Sequence, residues 1–166
     1  MIANPNLRAL RYDPYSQTLS EEGYDMPKML SMRRAAVEKA RKAKVFGVIL
    51  GTLGRQGNPA LFANVRSKIR SKGKRCFCVL LSEVFPSKLE QMGNGSAVDA
   101  WVQVACPRLS VDWGHFFDKP LLNSFELEVC LGLADFPEDK YPMDYYKLGS
   151  GEWSNYHGGN KERECC

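Results

Sequence analysis

Two short apolar runs separated by an amphipathic segment constrain the fold of this chain most strongly. The runs are residues 45–50 (VFGVIL) and 75–81 (RCFCVLL), and each suits a strand buried within a parallel sheet. Between them, Asn58 and Pro59 are a cap residue and a first-turn proline. Apolar residues then recur every four positions, at Leu61, Val65 and Ile69. Gly73 ends this helix, so the sequence predicts a right-handed β-α-β crossover.

The same alternation continues toward the C-terminus. Residues 98–105 (VDAWVQVA) predict a third strand, and residues 119–122 predict a short fourth. Ser124 is placed to cap a helix that runs to about residue 133. Alternating apolar strands and amphipathic helices predict an α/β fold, a three-layer domain whose mainly parallel sheet of about four strands has flanking helices.

The flanking segments divide the chain into three predicted parts. Residues 1–43 begin as an extended connection, and Pro27 then opens a linking helix of about four turns that ends near Ala43. Residues 44–135 form the α/β domain. Residues 136–166 turn to Pro, Gly, Tyr and charge, which predicts an irregular C-terminal arm that frays toward solvent and contributes little to the fold.

Bulk properties exclude several classes of protein. No apolar run approaches the roughly 18 residues that span a bilayer, so we expect a soluble, cytoplasmic protein with no membrane partner. The formal charge is +4, yet residues 28–75 hold fourteen Lys or Arg and one acid, Glu38. Solvent-facing helix residues would give the same count as a basic binding surface. Aromatic residues do not interleave with the bases, so direct nucleic-acid binding is not expected.

The six cysteines do not indicate a disulfide scaffold, because a chain of 166 residues can bury a core without covalent links. Cys76 and Cys78 lie two apart on a predicted strand and share one face, where they could chelate, but core packing is the preferred interpretation. Cys130 lies on the apolar side of a predicted helix and is assigned to the core as well. Cys165 and Cys166 end the chain as exposed thiols or, on a weak pattern, as a prenylation site.

The loop at residues 51–59 (GTLGRQGNP) is the first candidate binding site. It places Gly51, Gly54 and Gly57 between a strand and a helix, where backbone N–H groups and the helix dipole can hold an anion. Arg55 adds a bidentate donor for a carboxylate or phosphate. The spacing matches neither the dinucleotide fingerprint nor the P-loop, and a tight structural turn is the alternative.

Cys106 is the second candidate, because it directly follows a buried strand at the carboxyl edge, where α/β sheets bind ligands. Pro107 stiffens the turn, Arg108 could lower the pKa of the thiol or bind an anion, and Asp112 could orient Arg108. The alternative is a packed cysteine beside a surface arginine. One cysteine cannot hold a cluster or zinc, so any metal site must take ligands from elsewhere.

Other polar residues carry weaker signals. Ser82 and Glu83 precede Pro86 at a strand end and should face the same edge as Gly51 and Cys106, with helix capping as the alternative. The two histidines, His115 and His157, have no spacing that suggests a catalytic triad.

Six sequence blocks, taken in order, closely resemble the last part of the diphthamide biosynthesis subunit-one family. They are YDPYS, ILGTLGRQGNP, LLSEVFPSKL, WVQVACPRLSVDWG, KPLL and YPMDYY, and the resemblance runs from about Ala3 to His157. It implies three similar α/β domains that each give one cysteine to a 4Fe–4S cluster, with Cys106 as the ligand from the third. Residues 44–135 would be that third domain, and residues 1–43 the end of the preceding domain with its linking helix. If the chain uses S-adenosylmethionine as members of this family do, charge and position, not a family assignment, favour Arg55 with the loop residues Gly54 and Gly57, and Arg108, as the groups that hold its methionine carboxylate.

The resemblance further implies the reaction and the partners. Members of this family are noncanonical radical S-adenosylmethionine enzymes, which transfer a 3-amino-3-carboxypropyl group to a histidine of translation elongation factor 2. Eukaryotic members pair with a homologous second subunit and receive electrons from a small metal-binding protein. Because the first domain and most of the second, with two cluster cysteines, are absent here, we expect the isolated chain to be inactive. The alternatives are a module that only binds an anion or partner, and a truncated product that only occupies the second subunit.

Overall fold

The computed structural model describes residues 1–54, 56–93, 98–138 and 140–155. In chain order its elements are β1 (Ala9–Asp13), β2 (Thr18–Glu22), α1 (Met26–Arg41), β3 (Val45–Gly51), α2 (Pro59–Ser71), β4 (Arg75–Leu81), α3 (Pro86–Gly93), β5 (Ala100–Val104), α4 (Arg108–Trp113), β6 (Leu121–Leu122) and α5 (Ser124–Cys130). A 3₁₀ turn at Gly114–Phe116 follows α4. Among these helices, none has the length and apolar character that a membrane crossing requires.

Strands β3 to β6 form one parallel sheet in the order β4-β3-β5-β6. One face packs against α1, α2 and α5, where side chains such as Phe46, Val65 and Leu127 form the larger core cluster. The other face carries Trp101 and Ile49 and packs against α3. The predicted three-layer α/β fold with four parallel strands is thus confirmed.

Local capping explains where the helices begin and end. The side chain of Asn58 accepts hydrogen bonds from the backbone of Ala60 and Leu61, as the Asn-Pro pair predicted. Gly73 has a positive φ of 70° after α2. The predicted cap of α5 was one residue late: Asn123, not Ser124, caps it, in a reciprocal capping box with Glu126.

The N-terminal segment contains a β-hairpin, which the sequence analysis missed. Strands β1 and β2 pair antiparallel, with Ala9 opposite Glu22 and Asp13 opposite Thr18. Most of their side chains are exposed, so no buried face imposes the alternation from which strands are recognised. An exposed ion pair of 3.0 Å between Arg8 and Glu21 flanks the hairpin.

A buried ion pair fastens α1 to α5. The Arg33 guanidinium donates to both carboxylate oxygens of Glu126, at 2.6 and 2.7 Å, and to the carbonyl of Leu121 at 2.7 Å. Arg33 and Glu126 lie 93 residues apart and are almost fully buried. The predicted linking helix therefore packs firmly against the sheet domain; the three predicted domain boundaries stay a prediction.

The C-terminal arm is irregular over its described residues, but the expectation that it frays and adds little to the fold was wrong for them. Tyr141 and Tyr145 are buried in the core, and the Tyr141 hydroxyl donates to Glu126 at 2.6 Å. Trp153 packs edge-on against Phe125 and Tyr145. Aromatic side chains fix this segment without regular structure, which is why its Pro, Gly and charge content was misleading.

Candidate functional site

The loops after β3, β4 and β5 meet at the carboxyl edge of the sheet and enclose an open cleft of about 410 Å³. Its lining residues are Gly51, Leu53, Gln56, Ser82, Glu83, Val84, Phe85, Ala105, Cys106, Arg108, Leu109 and Trp113. The strands are parallel and in register, so their following loops converge on one side. The prediction that Ser82 and Glu83 share this edge with Gly51 and Cys106 is confirmed.

Cys106 is a half-buried free thiol in the wall of this cleft. It leaves the end of β5, and Pro107 and α4 follow at once. Its carbonyl oxygen accepts hydrogen bonds from the Leu109 backbone and from the Gln103 side chain, both at 3.0 Å. The turn that carries the thiol is therefore held from two sides.

Arg108 also lines the cleft, and its Nε donates to Asp112 Oδ2 at 2.5 Å. This bond raises the pKa of Arg108, which stays a cation. The predicted orienting role of Asp112 is confirmed in its geometry. Tyr24 lies close to the same pair: burial raises the pKa of its hydroxyl, and the charge of Asp112 raises it further.

The glycine loop contributes Gly51, Leu53 and Gln56 to the lining, whereas Gly54 and Gly57 stand outside that set. Gly54 has a φ of 62°, which favours glycine, and a Cβ at Gly57 would overlap the carbonyl oxygen of Gly51. Local structure thus explains why glycine occupies both positions, in agreement with the alternative interpretation of this loop as a tight structural turn. Arg55 lies outside the described residues, and cofactor binding by Arg55, Gly54 and Gly57 stays a prediction.

Replacing Gly57 with Ala is expected to lower the free energy of unfolding by about 1–3 kcal/mol, because the new methyl group must displace the Gly51 backbone. Urea unfolding followed by circular dichroism measures this loss. Gly23→Ala is the matched control, since a Cβ there meets no atom within 4 Å. Equal stability of the two variants would contradict the close approach of Gly57 to Gly51.

The other described cysteines behave as core residues. Cys76 and Cys78 are half-buried on β4 and pack against the larger core cluster. Cys130 is buried, and burial raises the pKa of its thiol to about 11. Within the described residues, no group of three or more His, Cys, Asp or Glu side chains could hold a metal ion. Any metal site that includes Cys106 would therefore need ligands from outside this described part of the chain.

Gln103 is the residue at this site that the sequence analysis missed. It lies on β5 with 1% of its surface exposed, and its amide reaches both Cys106 and Ser110. A single polar residue inside the apolar run at residues 100–105 (AWVQVA) was the available signal.

Comparison with known proteins adds a consistent set of relatives. A family model for diphthamide synthesis proteins matches residues 1–142. The chain is 50% identical to subunit 1 of 2-(3-amino-3-carboxypropyl)histidine synthase from Dictyostelium discoideum, over 94% of this chain and 32% of the relative. The same subunit from Schizosaccharomyces pombe is 51% identical, over 97% and 36%, and that from Homo sapiens is 50% identical, again over 97% and 36%.

A solved structure is also similar. Dph2 from Pyrococcus horikoshii, crystallised with a 4Fe–4S cluster, aligns with a TM-score of 0.64 and 29% identity, over 82% of this chain and 37% of that one. The chain thus spans about a third of the length of the relatives that it matches.

Proposed function

The chain belongs to the diphthamide synthesis protein family, and from that premise we propose that it forms part of a 3-amino-3-carboxypropyl transferase that modifies a histidine of translation elongation factor 2. The relatives are named as synthases of that modified histidine, which makes this an enzyme family. Within the enzyme, the proposed task of this segment is to supply one ligand, Cys106, to a 4Fe–4S cluster.

The observation that carries the proposal is the position of Cys106. Its free thiol lies in the wall of an open cleft at the carboxyl edge of a parallel sheet, beside the Arg108 cation. Dph2 from Pyrococcus horikoshii, with a similar fold, was crystallised with a 4Fe–4S cluster. Such clusters take cysteine thiolates, and a single half-exposed thiol suits one corner of a cluster that other segments complete.

Each candidate residue of this chain would have a distinct role in the enzyme. Cys106, as the thiolate, binds one iron, while two further cysteines come from other domains of the enzyme. A bound cluster would supply the one electron needed for cleavage of a C–S bond of S-adenosylmethionine, which would give methylthioadenosine and a 3-amino-3-carboxypropyl radical. Arg108, oriented by Asp112, offers its cation to the methionine carboxylate, with Arg55 and its glycine loop as a second donor.

The proposed assembly follows from the same family assignment. The relatives are named as subunit 1, so a further subunit is expected, and we propose a homologous second subunit as the stable partner. Elongation factor 2 is the protein substrate, a small metalloprotein donates electrons, and the proposed compartment is the cytoplasm.

A chimera tests this function. This chain would replace the matching segment of subunit 1 from Schizosaccharomyces pombe, and the product would be purified without oxygen together with its second subunit. With S-adenosylmethionine, elongation factor 2 and a reductant, we expect mass spectrometry to find the carboxypropyl group on one histidine. The native subunit is the control. A chimera that folds and pairs but transfers nothing would overturn the proposal in favour of an inactive binding module, which is the alternative.

A further inference from the structure

Gln103 is a polar residue in a strand whose five residues are all buried. Its exposed fraction is 1%, and that of Ser110, which it contacts, is 0%. Burying an amide without hydrogen bonds costs about 1–3 kcal/mol in proteins, so an apolar side chain would suit this strand better. The contacts of the amide must therefore account for its place here.

The amide nitrogen of Gln103 makes both of its contacts with the segment 106–110, which begins at Cys106. Gln103 Nε2 donates to the Cys106 carbonyl at 3.0 Å and contacts Ser110 Oγ at 3.2 Å. Since a carbonyl oxygen only accepts, the amide nitrogen and not the amide oxygen must face Cys106. The amide oxygen Oε1 has no hydrogen-bond partner within the described parts of the chain. The hydrogen bonds that hold the Gln103 side chain are therefore those of Nε2.

The Cys106 backbone is fixed by this arrangement. Its carbonyl holds two donors, Gln103 and the Leu109 N–H, and the residue before a proline has few backbone conformations to choose from. Pro107 itself has a φ of −59° and begins the turn into α4. With the backbone held, rotation about the Cα–Cβ bond is the main freedom left to the thiol.

We propose that Gln103 is a positioning residue for Cys106, acting from behind the cleft to hold the cysteine backbone so that its thiol meets a ligand in one orientation. That the thiol binds a metal rests on the proposed function. The hydrogen bond from Gln103 to the Cys106 carbonyl, called the clamp below, lies within this chain alone. Partners behind a metal ligand typically change metal affinity by roughly 10–100-fold when they are lost.

The clamp can be tested without metal, through the alkylation rate of Cys106 in this chain. Gln103→Met keeps roughly the size of the side chain and removes its donor, so the turn should open more often and Cys106 should react at least about threefold faster than in the native chain. Cys76, on β4, is the internal reference for each sample. Ser110→Ala removes the other contact and should leave the rate nearly unchanged.

General destabilisation must be separated from loss of the clamp. Val104→Ala opens a cavity at the neighbouring buried position without touching the Cys106 carbonyl, so it should lower stability and leave the Cys106 rate close to native. If Gln103→Met does not fold, Gln103→Leu provides the second variant, because it also removes the donor while keeping an apolar side chain of similar volume. A native alkylation rate in a folded Gln103 variant would overturn the proposal.

The chimera of the preceding subsection extends the test to the bound cluster. There, Gln103→Met is expected to change the electron paramagnetic resonance spectrum of the reduced cluster and weaken iron binding by roughly 10–100-fold. If the unmodified chimera holds no iron, the proposed function fails and the alkylation result still decides the clamp. If it holds iron and Gln103→Met gives the same spectrum and iron content, the clamp is wrong.

Discussion

Replacing Arg33 with Met is expected to lower the free energy of unfolding by roughly 3–5 kcal/mol, because the Glu126 carboxylate would remain buried without its guanidinium partner. The two side chains are 3% and 0% exposed, and they meet through two hydrogen bonds. Arg33 also satisfies the carbonyl of Leu121 at the start of β6. Its loss therefore leaves a charge and a backbone acceptor unpaired in the interior.

Urea unfolding measures this effect, and the hairpin offers a matched control. Arg8 binds Glu21 through the same two guanidinium nitrogens, both at 3.0 Å, but these side chains are 71% and 59% exposed. Arg8→Met should change the unfolding free energy by less than about 1 kcal/mol. The double variant Arg33→Met with Glu126→Gln should regain part of the loss. An equal cost at Arg33 and Arg8 would refute the argument from burial.

Replacing Cys106 with Ala in the chimera is expected to abolish carboxypropyl transfer and to deplete iron more strongly than the roughly 10–100-fold loss typical of an outer-shell partner. The reason is direct: the thiolate would be a ligand, and alanine offers none. Iron per protein after anaerobic reconstitution and the yield of modified histidine are the two measurements.

The control is Cys76→Ala. Cys76 is also a half-buried free thiol, but it lies on β4 and packs against the core instead of lining the cleft. It should keep both iron and activity. If Cys106→Ala holds as much iron and transfers as much product as Cys76→Ala, the ligand assignment is wrong.

The elements that the sequence predicted well are those whose burial repeats with a fixed period. Strands β3 and β4 and helix α2 have apolar residues on faces set by backbone geometry, and Asn58 and Gly73 mark the helix ends. The site followed from the same logic, because parallel strands bring their carboxyl ends together. Cys106, Ser82 and Glu83 reached one edge for that reason.

The features that were missed depend on contacts between distant residues. Arg33 was counted with the solvent-facing bases of α1, since no local pattern indicates that Glu126 will neutralise it from 93 residues away. Tyr141 and Trp153 pack without periodicity, and the hairpin β1–β2 has no buried face. Gln103 is a different case, because the sequence does show a polar residue inside an apolar strand. Only the geometry of the following turn shows that its side chain donates to the Cys106 carbonyl.

The Glu126 carboxylate has a consequence for the timing of folding during synthesis. It binds Arg33 of α1, the backbone of Asn123 and the hydroxyl of Tyr141, so three stretches of chain must be present before its charge is satisfied. Ribosomes add about 5–20 residues per second, so α1 waits roughly 5–20 s for Glu126 to be made. A chain that ended before residue 141 would lack both the buried Tyr141 ring and the hydroxyl that donates to Glu126, so its core would be incomplete.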